Sequence, residues 1–160
     1  MRYNDSDKLE KIEDIMIRKL KKEDIDEVME IWKKENIRTH NFISKEYWKN
    51  NYEYVKDILP NADIDVYLLD EHIVGFIGVD NDYIEGIFVD INNQHNGIGT
   101  SLLNKIKEEK EKLTLSVYKK NINAIKFYKK NGFIITGESI DKNTDEIEYT
   151  MTWKKDKSTC

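Results

Sequence analysis

The stretch from Tyr83 to Thr100 restricts the fold more than any other part of the chain. Tyr83 to Ile91 is apolar on both faces, with Ile84 and Phe88 on one and Ile87 and Val89 on the other. A strand greasy on both sides belongs in the middle of a sheet covered on both faces. Directly after it comes Gln94-His95-Asn96-Gly97-Ile98-Gly99-Thr100, and then Ile98, Leu102, Leu103 and Ile106 at helical spacing. Strand, glycine turn and helix form an anion-binding arrangement. Glycines let the backbone approach a ligand, and the unpaired N–H groups of the helix start point at its negative charge.

Three phosphate ligands use such a junction. A nucleoside-triphosphate loop needs Lys-Ser/Thr after its last glycine, and Thr100 follows Gly99 directly. A dinucleotide fingerprint needs Gly or Ala three residues after the second glycine, where Leu102 stands. The diphosphate of an acyl-coenzyme A remains, against the plain alternative of a tight turn.

The rest of the chain predicts one mixed α/β (α+β) domain over 13–155, with a flexible arm at 1–12 and a tail at 156–160. Ile15 and Ile17 mark a short strand, and Ile25, Val28, Met29 and Trp32 a helix with Asp24 as its N-cap. Ser44 caps a second helix, whose Trp48, Tyr52, Val55 and Leu59 share a face before Pro60 stops it. Strands at 66–69 and 74–79 precede the central one. A strand at 113–117, a helix from about Asn121 and strands at 133–140 and 147–153 complete the order β-α-α-β-β-β-α-β-α-β-β. That order indicates about six to seven strands flanked by about four helices.

Composition narrows the function. The 160 residues carry 26 Lys plus Arg against 31 Asp plus Glu, a formal charge of −5, which disfavours nucleic acid and anionic membranes as partners. The single cysteine, Cys160, suits a cytoplasmic protein and excludes a cysteine-built zinc site. His40, His72 and His95 share no ligand spacing, so no metal is expected.

A second motif sharpens this. Asn121-x-x-Ala124-x-x-Phe127-Tyr128-x-x-x-Gly132-Phe133 lies one helix and one strand beyond the glycine loop. With both motifs at this separation, the chain resembles the GCN5-related N-acetyltransferase (GNAT) superfamily from Ile15 to Trp153. It looks most like small bacterial members that carry a Thr-His-x-Phe segment, here Thr39-His40-Asn41-Phe42.

The resemblance implies acetyl-CoA as co-substrate, with direct transfer to a primary amine of a small molecule, protein or peptide. It assigns Ile87, Phe88 and Val89 to the pantetheine arm, and the backbone of Gln94, His95, Asn96, Gly97, Ile98, Gly99 and Thr100 to the diphosphate. It also places Asn121 beside the cofactor and Tyr128 at the thioester sulfur, puts His40 and Phe42 at the acceptor pocket, and admits a homodimer.

The chemistry fits a phenol at Tyr128. The leaving thiolate has a conjugate acid near pKa ~8.5, and a phenol near ~10 can protonate it. Glu85, which shares a strand face with Ile87 and Val89 in a regular strand, is a candidate base, with His40 and an ordered water as alternatives. A non-catalytic acyl-CoA-binding or protein-interaction module is the rival from another class.

Overall fold

The computed structural model describes residues 14–156. The arm expected at 1–12 and the tail beyond Asp156, with Cys160, lie outside the described residues. The order of elements is β1 (Ile15–Lys19), α1 (Ile25–Thr39), α2 (Lys45–Ile58), β2 (Asp63–Leu69), β3 (His72–Asp80), β4 (Tyr83–Val89), α3 (Ile98–Glu109), β5 (Lys112–Tyr118), α4 (Ile122–Lys130), β6 (Ile134–Asp141) and β7 (Glu146–Lys154). The strands form one seven-stranded sheet in the order β1-β2-β3-β4-β5-β7-β6. β4 and β5 run parallel; every other neighbouring pair is antiparallel.

Two apolar layers cover the sheet. Val28, Met29 and Ile31 of α1 pack with Leu59, Ile64, Val66 and Phe76 on one face. Ile98, Leu102, Leu103 and Ile106 of α3 join Ile77, Val79, Ile84, Leu113, Tyr128 and Met151 on the other. All four members of the stripe expected on α3 are buried, which fixes the rotation of that helix and directs its N-terminus to the end of β4.

Helix starts follow local chemistry with one correction. Ser44 Oγ accepts from the Glu46 N–H at 3.2 Å, and Pro60 sits in the single 3-10 turn that ends α2. Asp24 does not cap α1 with its side chain. Its carboxylate turns back to the Lys21 N–H at 2.7 Å and to the Arg18 guanidinium at 2.7 and 3.1 Å, closing the 3-10 turn that precedes the helix.

A second correction concerns β4. Gly78 pairs with Gly86, but Val79 pairs with Ile84, so Glu85 is an extra residue in a β-bulge. The bulge reverses the alternation. Ile84 joins Ile87 and Val89 in the α3–α4 layer, and Phe88 lies in the other layer, stacked on Phe76 at 5.0 Å.

Candidate active site

The parallel pair at the sheet centre is short. β4 and β5 are registered only at Tyr83↔Thr114 and Ile84↔Leu115, whereas β4 stays paired with β3 as far as Val89↔Gly75. Beyond Ile84 the two strands part, leaving a V-shaped cleft between 85–89 and 116–118. Along the open side of β4, backbone N–H and C=O groups lack a β5 partner, and strand edges of this kind bind extended amide-bearing chains. Ile87, Phe88 and Val89 form that arm.

The glycine loop leaves the end of the same arm. Gly97 has φ +79° and ψ 10°, a left-handed conformation, and an added Cβ would meet nothing within 4 Å. His95 shares the left-handed region at φ +66° and is exposed, as is Asn96. At Gly99 the constraint is packing, because a Cβ would come within 3.1 Å of the Phe127 ring of α4. Ile98, Gly99 and Thr100 open α3, so their N–H groups have no carbonyl one turn back to bond. Ile98 is buried beneath the loop, which leaves the backbone above it facing outward. Gln94 differs from its neighbours. Its Nε2 donates to the Val89 carbonyl at 2.8 Å and to Glu35 Oε1 at 2.9 Å, so both amide hydrogens are used within the protein.

The β5 arm ends in α4. Asn121 Oδ1 accepts from the Ala124 N–H at 3.2 Å and caps the helix, while Nδ2 lies 3.2 Å from His40 Nε2. Asn121 therefore joins the start of α4 to the end of α1. Tyr128, about two turns further on, is 8% exposed, with its ring against Phe127 at 5.3 Å and Phe133 at 5.6 Å. Burial pushes its phenol well above the ordinary value, and the nearby Tyr83 adds to this, so the proton stays on through the neutral range.

His40 and Phe42 do come together, in a nest of rings at the β5 end. His40 stacks on Trp48 at 5.3 Å and meets the edges of Phe42 at 5.7 Å and Tyr118 at 5.2 Å. Burial lowers the His40 pKa to about 4. A neutral imidazole whose Nε2 faces the Asn121 amide accepts there and carries its proton on Nδ1, 3.4 Å from Thr39 Oγ1. That lone pair is already engaged, which weakens His40 as a base.

Two carboxylates border the same nest, and sequence reasoning missed them. The Tyr118 hydroxyl donates to Asp141 Oδ2 at 2.6 Å, and Glu148 stands opposite Tyr118 in the β5–β7 register. Burial raises the Glu148 pKa, helped by the charge of Asp141. Tyr47 is raised first by burial, then by Asp141 and Glu148. No local pattern marks these acids, because each shares its strand with another acid, Glu138 in β6 and Glu146 in β7.

Glu85 is not on the face expected. The bulge puts its Cβ 3.8 Å from where a Cβ on Gly78 would lie, beside Ile64 in the α1–α2 layer, and its side chain is exposed. Its pKa is nevertheless raised, by partial burial first and by Asp80 second. The residue thus sits where the strands begin to part, on the side opposite Tyr128. Among the described residues no three His, Cys, Asp or Glu side chains gather as a metal would need, and no helix is long and apolar enough to cross a membrane.

A sheet splayed at its one parallel pair, with a glycine loop on one arm and a capped helix on the other, is a frame suited to a coenzyme A thioester. Comparison with known proteins agrees. The family model for the acetyltransferase (GNAT) domain matches residues 60–135. The peptidyl-lysine N-acetyltransferase YjaB of Salmonella typhimurium is 33% identical over 126 residues, 78% of this chain and 87% of that protein. The solution structure of apo YjaB from Escherichia coli superposes with a TM-score of 0.79 at 29% identity, covering 88% of this chain and 97% of that one. A Bacillus anthracis structure described as a streptothricin acetyltransferase, in complex with acetyl coenzyme A, covers 59% of this chain and 63% of its own at 29% identity and TM-score 0.55. The chain belongs to the GNAT family. It is an acetyl-CoA-dependent N-acetyltransferase.

Proposed function

We propose that the acceptor is a lysine side chain of a protein or peptide, and that the ring nest around His40 receives it. The observation that carries this is the pairing of aromatic walls with carboxylates. Phe42, Tyr47, Trp48 and Tyr118 offer apolar faces for a four-carbon stem, and Asp141 and Glu148 offer negative charge to an ammonium. The relatives named as peptidyl-lysine N-acetyltransferases support the same acceptor class.

In this reading acetyl-CoA lies in the cleft, its pantetheine amides on Ile87, Phe88 and Val89. Its diphosphate rests on the backbone of the 94–100 loop. The lysine ammonium gives up one proton to Glu85, directly or through water, the neutral nitrogen attacks the thioester carbonyl, and its second proton passes to solvent as the amide forms. The C–N bond forms and the C–S bond breaks. The departing thiolate takes the phenolic proton of Tyr128, which regains one from solvent, so no acyl-enzyme is needed. A raised Glu85 pKa makes that carboxylate a stronger base than a free one.

We further place the enzyme in the cytoplasm, in line with its acidic charge. The β6 edge, where Ile134 and Ile140 are exposed, is the surface on which a second copy would pair.

The test is acetylation of lysine peptides by the wild type and by Asp141→Asn/Glu148→Gln. Removing both charges raises the peptide KM about tenfold with the acetyl-CoA Kd unchanged. An unchanged peptide KM removes the two carboxylates from acceptor binding.

A further inference from the structure

The last turn of α1 touches both arms of the cleft, and it does so through side chains. On the β4 arm Glu35 accepts the Gln94 amide at 2.9 Å; on the β5 arm His40 meets Asn121 at 3.2 Å. These bonds join residues 59 and 81 positions apart. Glu35 is 5% exposed, and the same Oε1 also receives Arg38. A buried carboxylate is costly unless its partners compensate, and here one partner is the first residue of the phosphate loop. Since Gln94 spends both amide hydrogens on Glu35 and Val89, its side chain holds the loop rather than the ligand. Thr39 Oγ1 donates to the Glu35 carbonyl at 2.6 Å and keeps the turn between the two contacts wound.

We propose that the end of α1 is a two-point clamp across the cleft. In it Glu35, acting through Gln94, and His40, acting through Asn121, are positioning residues that set the separation of the phosphate loop and the α4 N-terminus. The clamp rests on the reading of the 94–100 loop as the diphosphate site. Its Glu35–Gln94 half acts on cofactor binding and not on the proton transfers, because the partners of those two side chains are Arg38 and the Val89 carbonyl and not the rings around His40. Loosening it therefore raises the acetyl-CoA KM and spares kcat at saturation.

The experiment is a double-mutant cycle on the full chain, read by calorimetric titration of acetyl-CoA, by the kcat and KM split, and by thermal melting. Glu35→Ala and Gln94→Ala each weaken acetyl-CoA about tenfold, and the double variant is no weaker than the worse single by more than about threefold. Glu35→Gln, which still accepts the Gln94 amide, binds within about threefold of the wild type. If Glu35→Ala does not fold, Gln94→Ala on its half-buried loop, set against Glu35→Gln, carries the same comparison. Single effects that multiply in the double variant overturn the clamp, as does unaltered binding in folded variants or a fall in kcat equal to the rise in KM. A wild type that does not bind acetyl-CoA overturns the loop reading instead.

Discussion

Replacing Gly97 by glutamate or by glutamine separates charge from strain at the proposed phosphate loop. Gly97 is left-handed at φ +79°, and a Cβ there meets nothing within 4 Å. Neither side chain therefore clashes, and both carry the same backbone penalty of about 1–2 kcal/mol. In a domain of this size that lowers Tm by about 2–8 °C, so both variants remain folded. They differ by one negative charge at the N-terminus of α3, where the diphosphate is expected. Two unit charges about 4 Å apart near a protein surface repel by about 4 kcal/mol. Physiological salt removes part of that on an exposed loop, leaving a loss of about ten- to a hundredfold in acetyl-CoA affinity for Gly97→Glu relative to Gly97→Gln. Calorimetric titration of the two variants, with melting curves as the folding control, reads the difference. Equal affinities for Glu and Gln would refute the reasoning, because they would show that no anion sits at the loop.

Other expectations follow from the same geometry. Tyr128→Phe lowers kcat at least tenfold with little change in acetyl-CoA Kd, checked by thiol release at saturating donor; an undiminished kcat removes the phenol from the mechanism. His40 has a folded pKa of about 4 against an ordinary 6.5, so the unfolded chain takes up the proton first as pH falls. Its contribution, up to about 3 kcal/mol, is present above pH 6.5 and lost on descending toward pH 4. Urea denaturation at pH 7 and pH 4.5 shows a steeper loss for the wild type than for His40→Gln; parallel losses contradict a buried neutral imidazole. Leu103→Ala, in the core under α3, costs about 2–5 kcal/mol by denaturant titration, and a cost below 1 kcal/mol contradicts the packing described.

The order of elements was legible because hydrophobic period and turn chemistry are local. The α3 stripe, the Ser44 cap and the Asn121 start of α4 are each written within a few neighbouring residues. Asp24 misled for the converse reason, since a capping residue type followed by helical spacing says nothing about Arg18 waiting across the turn. The β4 bulge was equally hidden. An alternating strand of this composition is assigned faces by parity, and one unpaired residue at Glu85 inverts them.

The site divides the same way. The 94–100 loop and the Tyr128 helix are contiguous motifs and can be read directly. Asp141 and Glu148 acquire meaning only when β6 and β7 bring them beside Tyr118, and Glu35 only when α1 is laid across Gln94.

The most direct test of the account is thiol release from acetyl-CoA in the presence of lysine peptides, with mass spectrometry of the acceptor. One acetyl group is expected on the lysine ε-amine for each coenzyme A thiol released, with no labelled enzyme intermediate. Tight binding of acetyl-CoA with no thiol release across lysine peptides and small amines would contradict it, and would leave a cofactor-binding protein that does not transfer.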